Sequence, residues 1–324
     1  MSFSIILNSS NVVGSNNSSF NYKFIGGGFK IPPKSKMCIS TATIPYSWFN
    51  VNQQSYNNAV FSISYPIVGG AAYTTSVITL VNGFYQVSDM NTYIQKFCIS
   101  LGLFLVSTTA GGPNLYFYQI ATNITYYSNQ VLTFLIPSTS TNLSTLYPGY
   151  RVPALATEGV AWYYGAGPTY YTTAAPVTGT FNILSTSPAF GTLIGYAVGV
   201  YPPTPIASNI ANYNTLGSIT PNLTPVNSLI MRCSLVFNNV TVPSDILDAI
   251  PITNATFGAN INYSTSWEKW VDIGSGLFNQ ISFSLQDQNF NPIPANDSNI
   301  LISIFIQCGT EKQYLSYSDT SMVS

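Results

Sequence analysis

The sequence predicts an all-β sandwich or barrel with one short helix and an elaborated insertion. Apolar and polar residues alternate along many short segments, a pattern that places successive side chains on opposite faces of a half-buried sheet. The 20 prolines and most of the 23 glycines fall between these segments, where turns are expected. Many short strands joined by turns are typical of sandwiches and barrels. Two β subdomains are the alternative architecture.

Five segments are the clearest strands because one face of each is apolar throughout. Their apolar faces are Phe3, Ile5 and Leu7; Phe61, Ile63 and Tyr65; Leu229, Met231, Cys233, Leu235 and Phe237; Ile281, Phe283 and Leu285; and Ile300, Ile302, Ile304 and Ile306. Further strand candidates are 37–44, 75–80, 103–107, 115–120, 129–136, 179–184, 192–199 and 255–261.

One helix is predicted between Ser88 and Gly102. Ser88 can cap it, Asp89 is favourable in its first turn, and Gly102 can end it. Its apolar residues recur at helical spacing. A second, short helical turn is predicted to start at Ser244.

The composition changes between residues 138 and 225, which are rich in Tyr, Thr, Pro, Gly and Ala and alternate less regularly. We interpret 138–225 as an insertion or loop-rich subdomain. Residues 1–137 and 226–324 would then form the core of the sandwich.

Charge and the lack of histidine narrow the possible functions. Only 6% of the residues are charged, with 9 Lys and Arg against 10 Asp and Glu, which is too few cations for sequence-specific nucleic-acid binding. The absence of histidine removes the commonest general base and the commonest zinc ligand. We therefore expect no enzymatic activity, no metal and no cofactor.

The cysteines and the N-terminal segment indicate a protein made in the cytoplasm. Cys38, Cys98, Cys233 and Cys308 show no CxxC spacing, and each lies in an apolar run, which favours buried reduced thiols. The N-terminal segment lacks the basic residues of a signal peptide. No segment approaches the ~18 apolar residues of a membrane helix, so no membrane span is expected.

The few carboxylates are interpreted as structural. Asp287 and Asp297 border predicted strands, where aspartate favours turns, although two carboxylates could also act together in glycoside hydrolysis. Asp245 and Asp248 lie at the start of the predicted helical turn, where they would act as caps, with calcium as a weak alternative.

Two groups of residues are candidates for contacts with other molecules. Lys23, Lys30, Lys34 and Lys36 concentrate four of the nine cations, either in a solvated loop or against an acidic neighbour or packed DNA. The aromatic residues could pack in the core, anchor a subunit interface or bind a ligand. The candidates for self-association are Tyr46, Trp48, Phe49, Trp267 and Trp270.

Five segments together resemble the penton, or minor capsid, proteins of virophages and polinton-like elements, in the order found in that family and over most of the chain. They are ATIPYSWFNV (42–51), TLVNGFYQVSDMNTYIQ (79–95), FGTLIGYAVGVYPP (190–203), TPVNSLIMRCSLVFNNVTVPSDIL (224–247) and NQISFSLQDQNFNPI (279–293).

This resemblance implies a jelly roll of the PRD1–adenovirus lineage that performs no catalysis. It implies that five copies close each vertex of an icosahedral virion, and that a separate, larger double jelly-roll protein builds the facets. On the same resemblance IPYSWFNV lies in the shell-forming region, and DQNFNP is a turn between two late strands. A carbohydrate- or receptor-binding β domain of a virion is the alternative function.

Overall fold

Strands dominate the computed structural model, which describes residues 2–66, 73–137, 142–159, 176–206, 212–252 and 255–309. The strands are β1 Ser2–Leu7, β2 Ser19–Lys23, β3 Phe29–Ile31, β4 Lys36–Pro45, β5 Val60–Pro66, β6 Tyr73–Thr79, β7 Phe104–Ser107, β8 Leu115–Tyr116, β9 Tyr118–Asn123, β10 Ser128–Ile136, β11 Tyr150–Arg151, β12 Val177–Thr178, β13 Thr180–Ile183, β14 Gly199–Tyr201, β15 Asn212–Leu216, β16 Ser228–Cys233, β17 Ile246–Pro251, β18 Asn260–Ser264, β19 Val271–Asp272, β20 Gly276–Phe278, β21 Gln280–Gln286 and β22 Leu301–Gln307. The all-β prediction is confirmed.

Helices are short, apart from the predicted one. They are α1 Gln53–Tyr56, α2 Val87–Leu101, α3 Leu143–Leu146, α4 Leu155–Glu158 and α5 Pro188–Ile194, with 3-10 turns at Ser9–Asn11 and Ile124–Tyr126. In α2 the carboxylate of Asp89 accepts a hydrogen bond from the backbone N–H of Gln86 at 2.8 Å. Gly102 ends the helix in the left-handed conformation, with φ of 69°.

The chain divides into two units. The jelly-roll unit comprises Met1–Trp48 and Val226–Ser324, and the insertion unit comprises Phe49–Pro225. The insertion was predicted to begin at residue 138. The structure instead groups residues 49–137 with the insertion unit and not with the jelly-roll unit. The reason is that 49–137 contain strands of their own, and alternation reveals that a segment is a strand without revealing which sheet it joins.

The jelly-roll unit contains a five-stranded and a four-stranded antiparallel sheet, in which eight strands are long, and a two-stranded sheet of β3 and β20. One sheet has the order β1-β22-β4-β18, with β19 also pairing β4, and the other has the order β17-β16-β21-β2. In chain order the eight long strands are β1, β2, β4, β16, β17, β18, β21 and β22. The first pairs with the last (β1 with β22), the second with the seventh (β2 with β21), the third with the sixth (β4 with β18) and the fourth with the fifth (β16 with β17). This is one long antiparallel ribbon rolled into two sheets, the arrangement of a jelly roll.

Most residues of the apolar faces predicted for this unit lie in its core, but Phe237, predicted on the same face as Leu229, lies beyond the end of β16 and is 62% exposed. In β22 the side chains of Ile302, Ile304 and Ile306 are fully buried. Their neighbours across the sheet include Ile5 and Leu7 of β1, which are also fully buried. The alternating isoleucines thus hold the register, because a slip by one residue would move all of them to the opposite face.

The insertion unit contains three smaller antiparallel sheets. The first has the order β14-β13-β5-β6, in the second β9, β12 and β15 each pair with β10, and the third has the order β11-β7-β8. Its core includes a stack of three fully buried rings, with Phe61 4.9 Å from Phe181 and 4.6 Å from Phe190 between centroids. Large buried aromatic areas of this kind contribute strongly to stability.

One amide ties together the two ends of the insertion unit. The Asn50 side chain donates from Nδ2 to the carbonyl oxygens of Tyr85 at 2.8 Å and Leu223 at 3.0 Å. Its Oδ1 accepts from the Tyr85 N–H at 2.8 Å. Asn50 is buried, so its donors and acceptor are satisfied inside the protein, close to where the unit begins and ends.

Several local predictions are wrong. The strand predicted over 255–261 forms only at its last two residues, in β18, and α2 has Gln86 rather than Ser88 at its N-cap. Of the strand predicted over 192–199, only Gly199 is in a strand, and residues 192–194 belong to α5. This helix starts with Pro188 in its first turn and is capped by Gly195, with φ of 89°. Its buried residues Phe190, Leu193 and Ile194 follow a helical spacing that the apolar run concealed. In place of the helix predicted from Ser244, Ser244 and Asp245 form a turn that leads into β17, which pairs with β16.

Candidate assembly surface

The outer face of β1 and β22 is uncharged and partly apolar. We call it the β1–β22 face, and its residues are Ser2, Ser4, Ile6, Leu301, Ser303, Phe305 and Gln307. Ile6 is 54% exposed, Leu301 51% and Phe305 36%. Because Ile6 lies opposite Ser303, the three apolar side chains lie on adjacent strands of one sheet face. An exposed apolar group of this kind, bordered by polar residues, is typical of an interaction site.

A groove of about 480 Å³ opens at one end of the β1–β22 face. Phe3, Phe305, Glu268 and Trp270 are among the side chains that line it. The indole Nε1 of Trp270 donates to Glu268 Oε2 at 3.1 Å, which fixes the ring at the side of the groove. Trp267, in the same loop, is 81% exposed. Self-association through these two tryptophans remains a prediction, now with a defined place on the fold.

The other three aromatic candidates lie elsewhere. Tyr46 and Trp48 are 4% and 2% exposed, with ring centroids 4.6 Å apart, so they pack inside the jelly-roll unit. Burial raises the pKa of Tyr46. Phe49 is partly buried and starts the insertion unit. As subunit anchors Tyr46 and Trp48 would have to be exposed, so the structure favours the core interpretation for both.

Asp287 and Asp297 form turns, as predicted. Asp287 is 5% exposed, and its Oδ1 accepts from the backbone N–H groups of Asn289 and Asn291, each at 2.8 Å. Asp297 Oδ1 accepts from the Asn299 N–H at 2.8 Å. Each carboxylate thus accepts hydrogen bonds from the backbone of its own turn.

The other two aspartates form ion pairs, which corrects the capping prediction. Arg232 holds Asp245 through Nε and a terminal nitrogen, the latter 2.7 Å from Oδ2. Asp248 is 8% exposed and accepts from the Tyr263 hydroxyl at 2.5 Å and from Lys269 Nζ at 3.0 Å.

The hydrogen bonds of Asp248 with Tyr263 and Lys269 connect the two sheets of the roll. The hydrogen bond with Asp248 is the main reason why the pKa of Lys269 is raised. Asp248 belongs to β17 and Tyr263 to β18, which are edge strands of different sheets. Their hydrogen bond therefore joins the two sheets of the roll. Sequence spacing gave no signal for this contact, because it depends on how the sheets are stacked.

The four lysines between residues 23 and 36 are exposed. Lys36 Nζ lies 3.7 Å from Asp272 Oδ1, and both side chains are largely solvated, so this pair adds little stability. Lys34 occupies a turn with φ of 62°. Contact of these lysines with a genome or an acidic neighbour stays a prediction.

The cysteine thiols are expected to resist alkylation in the folded protein. All four are free and buried. Burial raises the pKa of Cys38 to about 11 and of Cys98 and Cys233 to about 12. At pH 8 a thiol of pKa ~12 is ionised in only about one molecule in 10,000, and the thiolate is the reactive form. Labelling with iodoacetamide should therefore be slow in native protein and complete after denaturation; rapid labelling of native Cys98 would contradict this.

Sequence reasoning missed the exposed apolar residues of the β1–β22 face. The signal was present, because SIIL in β1 and ILISIFI near β22 interrupt strict alternation with Ile6, Leu301 and Phe305 on the polar face. Strands that are apolar on both sides usually indicate two buried faces. Here the second apolar face is exposed within the jelly-roll unit.

The described residues contain neither a cluster of metal-ligating side chains nor a membrane-spanning helix. Within these ranges no cluster of three or more His, Cys, Asp or Glu side chains could hold a metal ion. None of the helices placed there is long and apolar enough to cross a membrane.

Similarity to known proteins is confined to structure, since no protein-family model and no curated protein matches the chain. The crystal structure of the mavirus penton protein has a TM-score of 0.43 and 10% identity, covering 95% of this chain and 100% of that one. A chain of the Sputnik virophage cryo-EM structure has a TM-score of 0.35 and 11% identity, covering 94% and 96%. The five sequence segments described above likewise resemble virophage penton proteins. Because both TM-scores are low, the assignment of a jelly-roll fold depends on the strand order of this chain.

Proposed function

We propose that this chain is a structural capsid protein that forms pentameric vertices of an icosahedral virion. The observation that carries the proposal is the strand pairing of the jelly-roll unit, first with last through fourth with fifth. Viral capsid domains and lectins use this architecture. Between these two, the resemblance of five ordered sequence blocks to penton proteins favours the capsid role.

The chemistry of the chain suits a role without catalysis. Histidine is absent from the sequence, and the carboxylates Asp245, Asp248, Asp287 and Asp297 are each engaged in a turn or an ion pair. A nucleophilic or acid–base mechanism needs an activated group within reach of a partner. Stiff sheets with internally satisfied polar groups supply instead a scaffold for contacts with neighbours.

The partners that we propose are further copies of this chain and a separate double jelly-roll protein that builds the facets. Closed five-fold rings require head-to-tail contacts between unlike patches of one subunit. The low charge favours contacts made by packing and hydrogen bonds, which salt screens far less than ion pairs.

We expect the purified protein to sediment as a pentamer, or to assemble when co-expressed with the facet protein of the same virus. Because the contacts are mostly uncharged, the assembly should persist at about 0.5 M salt, where surface ion pairs are screened. Sedimentation velocity at low and high salt checks both points. A reconstruction of the virion in which the vertices lack this polypeptide would overturn the proposal.

A further inference from the structure

The jelly-roll unit has four sheet edges, at β1, β18, β17 and β2. An edge presents unpaired backbone N–H and C=O groups, and proteins block unwanted pairing with charge, proline, bulges or covering segments. Strand β17 carries Asp248 and Pro251 and pairs with β16 through a register shift. Strand β2 ends at Lys23 and is bridged by Val12 at Phe20. These two edges are protected.

Within the part of the chain that the structure describes, the β1 edge shows none of these protections. Its sequence, SFSIIL, contains no charge, proline or glycine, and among the described residues β1 pairs only with β22. In an antiparallel strand the N–H and C=O groups of alternate residues point away from the paired neighbour. Half of the backbone groups in this six-residue strand are therefore directed away from β22. Ile6, 54% exposed, lies next to this edge on the β1–β22 face.

On the opposite side of the same sheet the edge is shared by β19, which carries Asp272, and by β18, which is uncharged. Strand β18 pairs only with β4 in the described part of the chain. Its side chains Asn260, Asn262 and Ser264 are exposed. One copy of the protein thus carries two unlike free edges on opposite sides of one sheet, which is what a head-to-tail contact between identical subunits requires.

We propose that the β1 edge of one copy pairs with the β18 edge of the next, so that the sheet continues from subunit to subunit. The partner is a second copy of this chain, and the inference deepens the proposed vertex function, on which it rests. Backbone hydrogen bonds across the added strand supply affinity, as in other strand-addition complexes. The exposed Ile6, Leu301 and Phe305 flank the junction and lose solvent contact there.

Hydrogen exchange of backbone amides, measured by mass spectrometry on assembled and dissociated protein, tests the pairing. Segments 2–7 and 260–264 should exchange at least about tenfold more slowly in the assembly, since their free amides become bonded. Segment 301–307 is the matched control, because β22 is already paired on both sides by β1 and β4. Unchanged exchange at either edge strand in assembled protein overturns the inference, and so does protection of β1 alone.

Variants at exposed isoleucines supply the second test. Ile6→Lys places a charge beside the β1 edge, a substitution that natural edge strands use against pairing. We expect the concentration for half-assembly to rise at least about tenfold, with an unchanged melting temperature. Ile124→Lys, at an isoleucine that is 87% exposed in the insertion unit, should change neither.

Failure of the vertex function and failure of the edge pairing give different results in these experiments. Wild-type protein that stays monomeric with the facet protein present contradicts the vertex function and the edge pairing together. Wild-type and Ile6→Lys proteins that assemble equally well contradict the edge pairing alone.

Discussion

Replacing Phe61 with alanine is expected to lower the free energy of unfolding of the insertion unit by about 3–5 kcal/mol. Phe61 is fully buried and stacks on Phe181 and Phe190 with centroid distances of 4.9 and 4.6 Å. Removing the ring loses its burial and leaves a cavity that both neighbours border, because packed cores relax only partly. Urea unfolding followed by circular dichroism measures the change.

A matched control is Phe237→Ala, at a phenylalanine that is 62% exposed. Substitutions at such sites usually change stability by no more than about 0.5 kcal/mol. If Phe61→Ala costs less than about 1 kcal/mol, the stacked core of the insertion unit is not packed as described.

Replacing Gly179 with alanine is expected to cost about 2–4 kcal/mol, from overpacking together with a lost hydrogen bond. An added Cβ would overlap the Tyr118 hydroxyl and lie 2.6 Å from the carbonyl oxygen of Ser64. The same hydroxyl donates to that carbonyl at 2.8 Å, so the methyl group must break this bond or displace the backbone. Urea unfolding again supplies the measurement.

Gly274→Ala is the comparison for this substitution, since the nearest atom to its added Cβ is the Leu235 carbonyl oxygen at an ordinary 3.8 Å. It should be nearly neutral. Combining Gly179→Ala with Tyr118→Phe removes one of the colliding atoms, so the pair should cost less than the sum of the single changes. Strict additivity would show that the collision is relieved in some other way.

The sequence predicted strand faces better than it predicted their grouping. The alternating isoleucines of β22 identified its inner face correctly, because period-two burial is a local property of a strand. Which sheet a strand joins is decided by contacts between distant residues, such as Ser2 with Gln307. Composition changes near residue 225 but not at Trp48, where the apolar segment that follows β4 continues into the insertion unit.

The candidate contact residues were predicted less well for a related reason. An aromatic residue contributes equally well to a core or to an interface, so residue type alone could not separate Trp48, 2% exposed, from Trp267, 81% exposed. Asp287 and Asp297 were predicted correctly because aspartate turns depend only on adjacent backbone groups. The ion pair of Asp248 depends on stacking of the sheets and had no local signature.

Asn50 closes the insertion unit beside the point where the polypeptide leaves and rejoins the roll. A module whose two ends lie together can be lengthened, trimmed or exchanged without altering the strand register of the unit into which it is inserted. Peptides inserted into loops of this module are therefore expected to leave the pairing of β1, β22 and β4 unchanged.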